Sequence, residues 1–349
     1  MSLFSLRVGI VGLGGNTKLR HVPGLLACGD VEIAAVCNRR PESTAAAARE
    51  FNIAKSYQRW EELVADPDLD AVVIGTWPYL HAPIAIAALD AGKHVLCEAR
   101  MAMNLAEARQ MLAAAERNPR CVAQLVPSPL GLGMHGRVKQ LLQENYLGRL
   151  REVVVIATND ALADAAAPLH WRQVAELSGV NMLTLGIVHE TLLRWTTEPL
   201  RLFAQAKAHT PERVDTATGA MRPVGTPDSV QVLTTLADGA SAIYQVSGVT
   251  RFGPGAQIHL YGSAGTLKLE LAPQERILGA QVGDQELCEI AVPAELRGGW
   301  NVEADFIASI RTGRPVEFTN FPDGVRYMEF TEAVARSATT NVPVMFPLS

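Results

Sequence analysis

The 349-residue sequence has no apolar run long enough to cross a bilayer, no Cys-x-x-Cys pair and no surplus of basic residues. Each absence removes a class of function. The longest apolar runs are strand-sized, so no membrane-spanning segment is expected. A formal net charge of −5 argues against nucleic acid or an anionic membrane as partner. The five cysteines, at positions 28, 37, 97, 121 and 288, are odd in number. Three of them (Cys37, Cys97 and Cys121) fall in predicted strands, where a small buried hydrophobe is expected rather than a redox or metal role. No repeat, heptad or low-complexity segment interrupts the chain. The first strand starts too soon for a signal peptide, which makes the cytoplasm the expected compartment. Apolar residues at 48% and charged residues at 19% give an ordinary globular balance, and the length suggests two domains.

What is present is a strict alternation of strands and helices up to about residue 125. Arg7–Val11, Val31–Cys37, Asp70–Thr76, His94–Glu98 and Cys121–Val126 read as continuous apolar strands, as expected of a parallel sheet covered on both faces. Between them, Pro83 suits a first helical turn and Gly92 a C-terminal stop. Asn104 with Glu107 predicts a capping box. The pattern is that of a doubly wound parallel sheet, an α/β Rossmann domain, over residues 1–125. After a Pro/Gly-rich passage a helix is predicted over 137–147, ending at Gly148. Long β-branched strands follow, beginning at Glu152. Asp238-Gly239 predicts a hairpin between 229–236 and 240–247. Residues 126–349 therefore read as an α+β domain with a large open, mainly antiparallel sheet. It includes two closing helices near 302–311 and 323–338.

The first forty residues carry the most specific signal. A strand runs into Gly12-Leu13-Gly14-Gly15, a helix follows, and a second strand delivers Asn38-Arg39-Arg40. In such a βαβ unit the glycine turn and helix start face a pyrophosphate, and the end of the second strand meets the adenosine ribose. Gly12, Gly14, Gly15 and Asn16 are the candidate phosphate-side residues. Thr17 occupies the third fingerprint position, and the segment to His21 is one residue longer than the common pattern. A carboxylate would bind the NAD ribose diol and repel a 2′-phosphate. Asn38 followed by Arg39 and Arg40 instead favours NADP(H) over NAD(H), because guanidinium groups pair with phosphate and stack on adenine. Thr76, Trp77 and His81 end the next strand.

The glycine turn, Ala91-Gly92-Lys93-His94-Val95-Leu96-Cys97-Glu98, Gly179…Leu193-Arg194-Trp195 and Phe306…Gly313-Arg314-Pro315 occur in one order and spacing. Through them the whole chain resembles the Gfo/Idh/MocA family, that of glucose–fructose oxidoreductase and inositol dehydrogenase. The resemblance implies an NAD(P)-binding Rossmann domain, a second domain bounding a substrate cleft, and a sugar, polyol or related substrate. It also implies a homodimer or homotetramer formed through the open sheet, and Thr76, Trp77, His81 and Glu98 on the cofactor side. Three departures stand out. The family's Lys-Pro after the strand glutamate is Ala99-Arg100 here. Its Asp and, four residues on, its catalytic His fall at Thr184 and Val188. Those two share a helix face with Asn181, and that face has no titratable group.

Oxidising an alcohol removes a proton as hydride leaves, and a placed acid or base contributes roughly 10²–10⁴-fold in rate. With the usual groups gone, His170, Arg100 and His189 are the candidates for replacing them. His170 is foremost, because Arg100 is too basic for proton transfer. Trp171, Arg172, Asn181 and Thr184 are candidate substrate contacts, the indole for a sugar face and Arg172 for an acid group. No spacing of ligands predicts a metal. The leading expectation is an NAD(P)-dependent oxidoreductase with an atypical proton relay. The competing ones are an NADP(H)-binding sensor or subunit without turnover, and a non-redox lyase or hydrolase using a tightly held cofactor.

Overall fold

The computed structural model describes residues 5–348 and divides into two compact units. The first contains residues 1–127 and 301–328, the second 128–300 and 329–349.

In the first unit, strands β1 (Leu6–Val11), β2 (Val31–Cys37), β3 (Lys55–Ser56), β4 (Ala71–Ile74), β5 (His94–Cys97) and β6 (Ala123–Leu125) form one sheet in the order β3-β2-β1-β4-β5-β6. Every neighbouring pair is parallel. Val8, Ile10, Val72, Ile74 and Leu96 are buried, as their unbroken apolar runs require of strands covered on both faces. The chain order reverses between β1 and β4, which creates the switch point at which such sheets hold ligands.

Helices α1 (Val22–Ala27), α2 (Pro41–Glu50), α3 (Trp60–Ala65), α4 (His81–Asp90) and α5 (Leu105–Arg117) alternate with the strands. The extra residue before His21 has a structural outcome. Thr17–His21 forms a π-helical turn leading into α1, a local widening that absorbs one residue without breaking the helix. Asn104 caps α5 by accepting from the Glu107 N–H at 2.9 Å. The Glu107 carboxylate closes the box one residue further back, on the Met103 N–H. At the end of α4, Gly92 takes φ +74 while Gly92 and Lys93 donate to the Leu89 and Ala88 carbonyls.

The expected boundary is corrected at the C-terminus. Helix α9 (Val302–Thr312) and the start of α10 (Phe321–Thr340) belong to the first unit. Val302, Phe306, Ile307 and Phe321 are buried there, and Gln124 of β6 donates to the Val302 carbonyl. These helices come last in the chain, yet their apolar stripes complete the nucleotide-type domain.

The second unit holds α6 (His135–Gln143), α7 (Ala175–Ser178), α8 (Leu185–Leu193) and the rest of α10. Its strands are β7 (Leu150–Thr158), β8 (Pro199–Lys207), β9 (Glu212–Val214), β10 (Met221–Pro223), β11 (Ser229–Leu236), β12 (Ser241–Ser247), β13 (Ala256–Gly262), β14 (Gly265–Ala272), β15 (Arg276–Gln281), β16 (Cys288–Glu289) and β17 (Val344–Met345). Nine of them form a sheet in the order β16-β15-β14-β13-β7-β12-β11-β8-β17, antiparallel except for the β7–β12 pair. The β11–β12 hairpin turns at Gly239, where φ is +89. The helix predicted over 137–147 runs instead over 135–143. Its last residues leave the helix because Asn145 and Gly148 adopt positive φ.

One sheet face buries Val153, Val155, Leu202, Val230, Val232, Tyr244 and Val246. On the other face Phe203, Leu233 and Ile243 are in cross-strand register and exposed.

Candidate functional site

A cleft of about 770 Å³ opens at the β1/β4 switch point. Gly12, Leu13 and Gly14 line it from the glycine turn, and Asn38, Arg39 and Arg40 from the end of β2. Thr76, Trp77 and Tyr79 line it from the end of β4. Gly12 must be glycine. Its φ is +87, and a Cβ would lie 2.7 Å from the Gly75 carbonyl carbon and the Thr76 nitrogen. Gly14 and Gly15 face open space instead, where a phosphate needs backbone without side chains.

Asn38 organises this edge. Its side-chain oxygen accepts from the Leu13 N–H at 2.7 Å, tying the glycine turn to the end of β2, and its Nδ2 donates to the Ser43 carbonyl. The end of β2 carries no carboxylate; Glu61, at the start of α3, lines the cleft and lies 3.5 Å from Arg59. The Arg39 guanidinium lies 5.3 Å over the Trp77 ring, a cation–π contact across the cleft lining. Arg59, which the sequence reading missed, also lines the cleft, beside Arg39 and Arg40. It follows a strand only two residues long, β3, too short to register as a pattern.

The residues present fit a nicotinamide dinucleotide on three counts. Gly14 and Gly15 leave the glycine turn open, Arg39, Arg40 and Arg59 line the adenosine edge, and the Thr76 hydroxyl is buried with no hydrogen-bond partner among the described residues. An unsatisfied buried hydroxyl between glycine turn and sheet is a ready ligand contact.

His81 is corrected. It is fully buried, with Nδ1 2.8 Å from the Arg100 carbonyl and Nε2 2.9 Å from the Thr76 carbonyl, so its ring is committed to backbone. Burial lowers its pKa below the ordinary histidine range against the pull of those carbonyls. Arg100 is likewise buried rather than displayed on a surface.

Glu98, at the end of β5, belongs to a group the sequence did not reveal. One carboxylate oxygen lies 3.0 Å from His21 Nε2 and accepts from Asn16 Nδ2. His21 Nδ1 lies 2.5 Å from Glu303 of α9. His21 is fully buried. Burial alone would lower its pKa, but the Glu303 and Glu98 carboxylates outweigh it and push His21 up to about 9. Burial would raise Glu98, and the bonds to His21 and Asn16 lower it on balance. A contact spanning 282 residues of sequence leaves no local signal.

In the second unit, the loop carrying the other candidates is pinned by Arg213. Its side chain is buried and donates to the carbonyls of Leu162, Asp164 and Ala167. His170 is exposed beyond that pin and caps a short 3₁₀ turn, its Nδ1 accepting from the Arg172 N–H. Partial desolvation and the Arg172 charge lower its pKa. Arg172 stacks over Trp171 at 4.3 Å.

The helix expected from Gly179 onward is broken. Gly179 and Leu183 take positive φ, and α8 starts only at Leu185, with Thr184 as its cap. Asn181 is therefore not on the helix and is buried, its Nδ2 donating to the Ser178 carbonyl. Val188 N–H bonds to the Thr184 carbonyl, so the two do stack, but Val188 is fully buried. His189 is corrected as a catalytic candidate. It is 1% exposed, stacked 3.6 Å from Phe330, and its Nδ1 is 2.8 Å from the Tyr244 hydroxyl. Glu190 accepts from the Ser128 N–H and pairs with Arg194.

Residues 6–125 match the oxidoreductase family with an NAD-binding Rossmann fold, and residues 135–268 match the GFO/IDH/MocA C-terminal domain. An uncharacterized oxidoreductase of Rhizobium meliloti is 28% identical over 204 residues, 57% of this chain and 59% of that protein. The matched stretch is thus less than two thirds of that relative's length. An uncharacterized oxidoreductase of Synechocystis is 27% identical over 84% of this chain and 80% of its own. A levoglucosan dehydrogenase structure, in complex with NADH and L-sorbose, superposes with a TM-score of 0.85 at 25% identity. That alignment covers 98% of this chain and 99% of that one. With both family segments matched in order, the chain belongs to the Gfo/Idh/MocA oxidoreductase family.

Proposed function

We propose that the protein is an NADP(H)-preferring oxidoreductase acting on a sugar, polyol or related hydroxy compound. The observation that carries the reading is the cleft at the β1/β4 switch point, with Gly12 at its floor and Arg39, Arg40 and Arg59 at its adenosine edge. Gly12, Gly14, Gly15 and Asn16 would face the pyrophosphate, at the start of a helical run over 15–27. Asn38, Arg39, Arg40 and Arg59 would hold the adenosine 2′-phosphate, a choice favoured by the lack of a carboxylate at the end of β2. Thr76, Trp77 and Glu98 would serve the other half. When bound, the nicotinamide supplies a hydride acceptor or donor. The substrate class is supported by relatives that include a levoglucosan dehydrogenase of Pseudarthrobacter phenanthrenivorans, 32% identical over 42% of this chain, and an inositol 2-dehydrogenase of Salmonella.

Proton handling is assigned to His170, the exposed histidine of the pinned loop, with Trp171 and Arg172 beside it as substrate contacts. The imidazole would hold or release the proton of the substrate hydroxyl, and its lowered pKa keeps it neutral and able to accept. Arg100 contributes charge only. Turnover of His170→Ala should fall by about 10²-fold or more, the scale of losing an acid–base group, with unchanged thermal stability. His189→Ala should instead lower stability and leave the pH–rate profile in place. The opposite pattern would overturn the assignment. Tight NADPH binding without turnover across sugars, inositols and sugar acids would favour the sensor reading. The exposed row Phe203–Leu233–Ile243 supports association of two copies through the open sheet, which sedimentation velocity would register as a dimer or tetramer.

A further inference from the structure

The Glu98–His21–Glu303 group has more charge than packing needs. Two carboxylates sandwich one fully buried imidazole, with contacts of 3.0 and 2.5 Å. Glu98 is held a second time by Asn16, on the turn that follows the glycines, and by the Ala99 N–H. Glu303 is approached closely by Gly24, where a Cβ would lie 2.5 Å from its Oε2. The helix bearing His21 thus needs a glycine to let the carboxylate in. A carboxylate on each ring nitrogen of His21 requires two protons within the group, so two glutamates and one imidazole together carry one net negative charge.

Its place in the sheet gives that charge a target. Arg39 and Arg40 after β2 and Arg59 after β3 line the cleft on one side of the switch point, the adenosine half of the reading above. Glu98 ends β5, on the opposite side, where the other half of a dinucleotide lies across the carboxyl ends of the strands. A nicotinamide ring is cationic when oxidised and neutral when reduced. A fixed negative charge therefore acts on one form and not the other.

We propose that Glu98, His21 and Glu303 form a net-negative charge unit at the nicotinamide half of the cleft, which makes the protein bind the oxidised nucleotide in preference to the reduced one. The inference rests on reading the cleft as a nucleotide site. His21 and Glu303 are positioning residues, fixing the ionised Glu98 in one orientation. Arg100, buried two residues beyond Glu98, carries a positive charge that is constant over this pH range, so the titrating part of the local charge is the unit's own. His81 of α4 and the Cys97 thiol near Glu98 stay neutral through burial, and Cys28, near Glu303 together with Arg311, has a raised thiol.

The test is the ratio of dissociation constants for NADP⁺ and NADPH, measured by calorimetry on the whole protein. Glu98→Gln removes the net charge and should weaken NADP⁺ about fivefold or more relative to NADPH, on the scale of a charge pair at a partly wet site. A second reading uses only the native protein. As pH rises through about 9, His21 loses its proton, the unit becomes more negative, and the ratio should shift about threefold or more further toward NADP⁺. In His21→Gln that shift should vanish. Equal weakening of both nucleotides by Glu98→Gln would mean a purely structural role and overturn the proposal, as would a native ratio that does not change with pH. Binding of neither nucleotide to the native protein would instead defeat the underlying reading of the cleft.

Discussion

His21 in the first unit and His189 in the second are equally buried and stand in opposite surroundings. His21 lies between two carboxylates and is driven toward the charged form, up to about 9. His189 lies between Phe330 and Tyr244 and serves as part of an aromatic cluster. The contrast extends to the regions around them. At the switch point, Gly12 at positive φ, three arginines lining the cleft and a buried hydroxyl with no partner among the described residues stand together. On α8, Val188 and His189 lie in the interior and serve packing. One region lines a cleft and the other is packed core.

The largest expected break of this comparison comes from one substitution on each side. Gly12→Val drives a side chain into the Gly75 backbone at a positive φ and should abolish nucleotide binding, a loss beyond about 100-fold. Phe330→Ala should cost about 3–5 kcal/mol of folding stability, as for other buried aromatic truncations. Wherever that variant remains folded, nucleotide affinity should be unchanged. Denaturant melts and binding titrations on both variants check the pair, and exchanged phenotypes would refute the division of roles.

Next in size is the pH dependence of stability. The pKa of His21 is raised on folding, so its contribution is fully present below about 6.5 and is lost as pH rises through about 9. The loss should reach roughly 3–4 kcal/mol at most, from the size of the shift at ~1.4 kcal/mol per unit. Glu98, whose pKa is lowered, works the other way and loses its contribution on acidification. Chemical denaturation from pH 6 to 10 should show a decline above neutrality that His21→Gln flattens. The same decline in His21→Gln would place its cause elsewhere.

These two regions differ equally in how well they could be foreseen. The strand–glycine–helix unit, the Asn104 cap, the Gly92 stop and the Asp238-Gly239 hairpin are local, set by residues within a few positions of one another, and the chain shows each of them. The one-residue excess before His21 was visible too, though not that a π turn would absorb it. The His21–Glu303 and Gln124–Val302 contacts join segments far apart in sequence, and with them the return of α9 to the first unit was hidden. On α8 the helical spacing suggested a cleft-facing surface. Spacing says which residues share a face but not what covers it, and here Val188 is covered. Arg213, pinning the His170 loop through three carbonyls, gave no sign either, because an arginine between loops has no pattern to break.

The smallest effect sharpens the cofactor choice. The double variant Arg39→Ala, Arg40→Ala should weaken NADPH about 10–100-fold, the scale of losing charge-assisted contacts to a phosphate, while NADH shifts little. Adding Arg59→Ala should widen the gap if the third guanidinium shares the phosphate.

Titration of the purified native protein with NADPH and NADH, followed by intrinsic or nucleotide fluorescence, tests the claim that the first unit remains a nicotinamide-nucleotide site. Saturable binding of NADPH, at least about tenfold tighter than NADH as one phosphate–guanidinium contact would give, is the predicted result. No association of either nucleotide at millimolar concentration would contradict it.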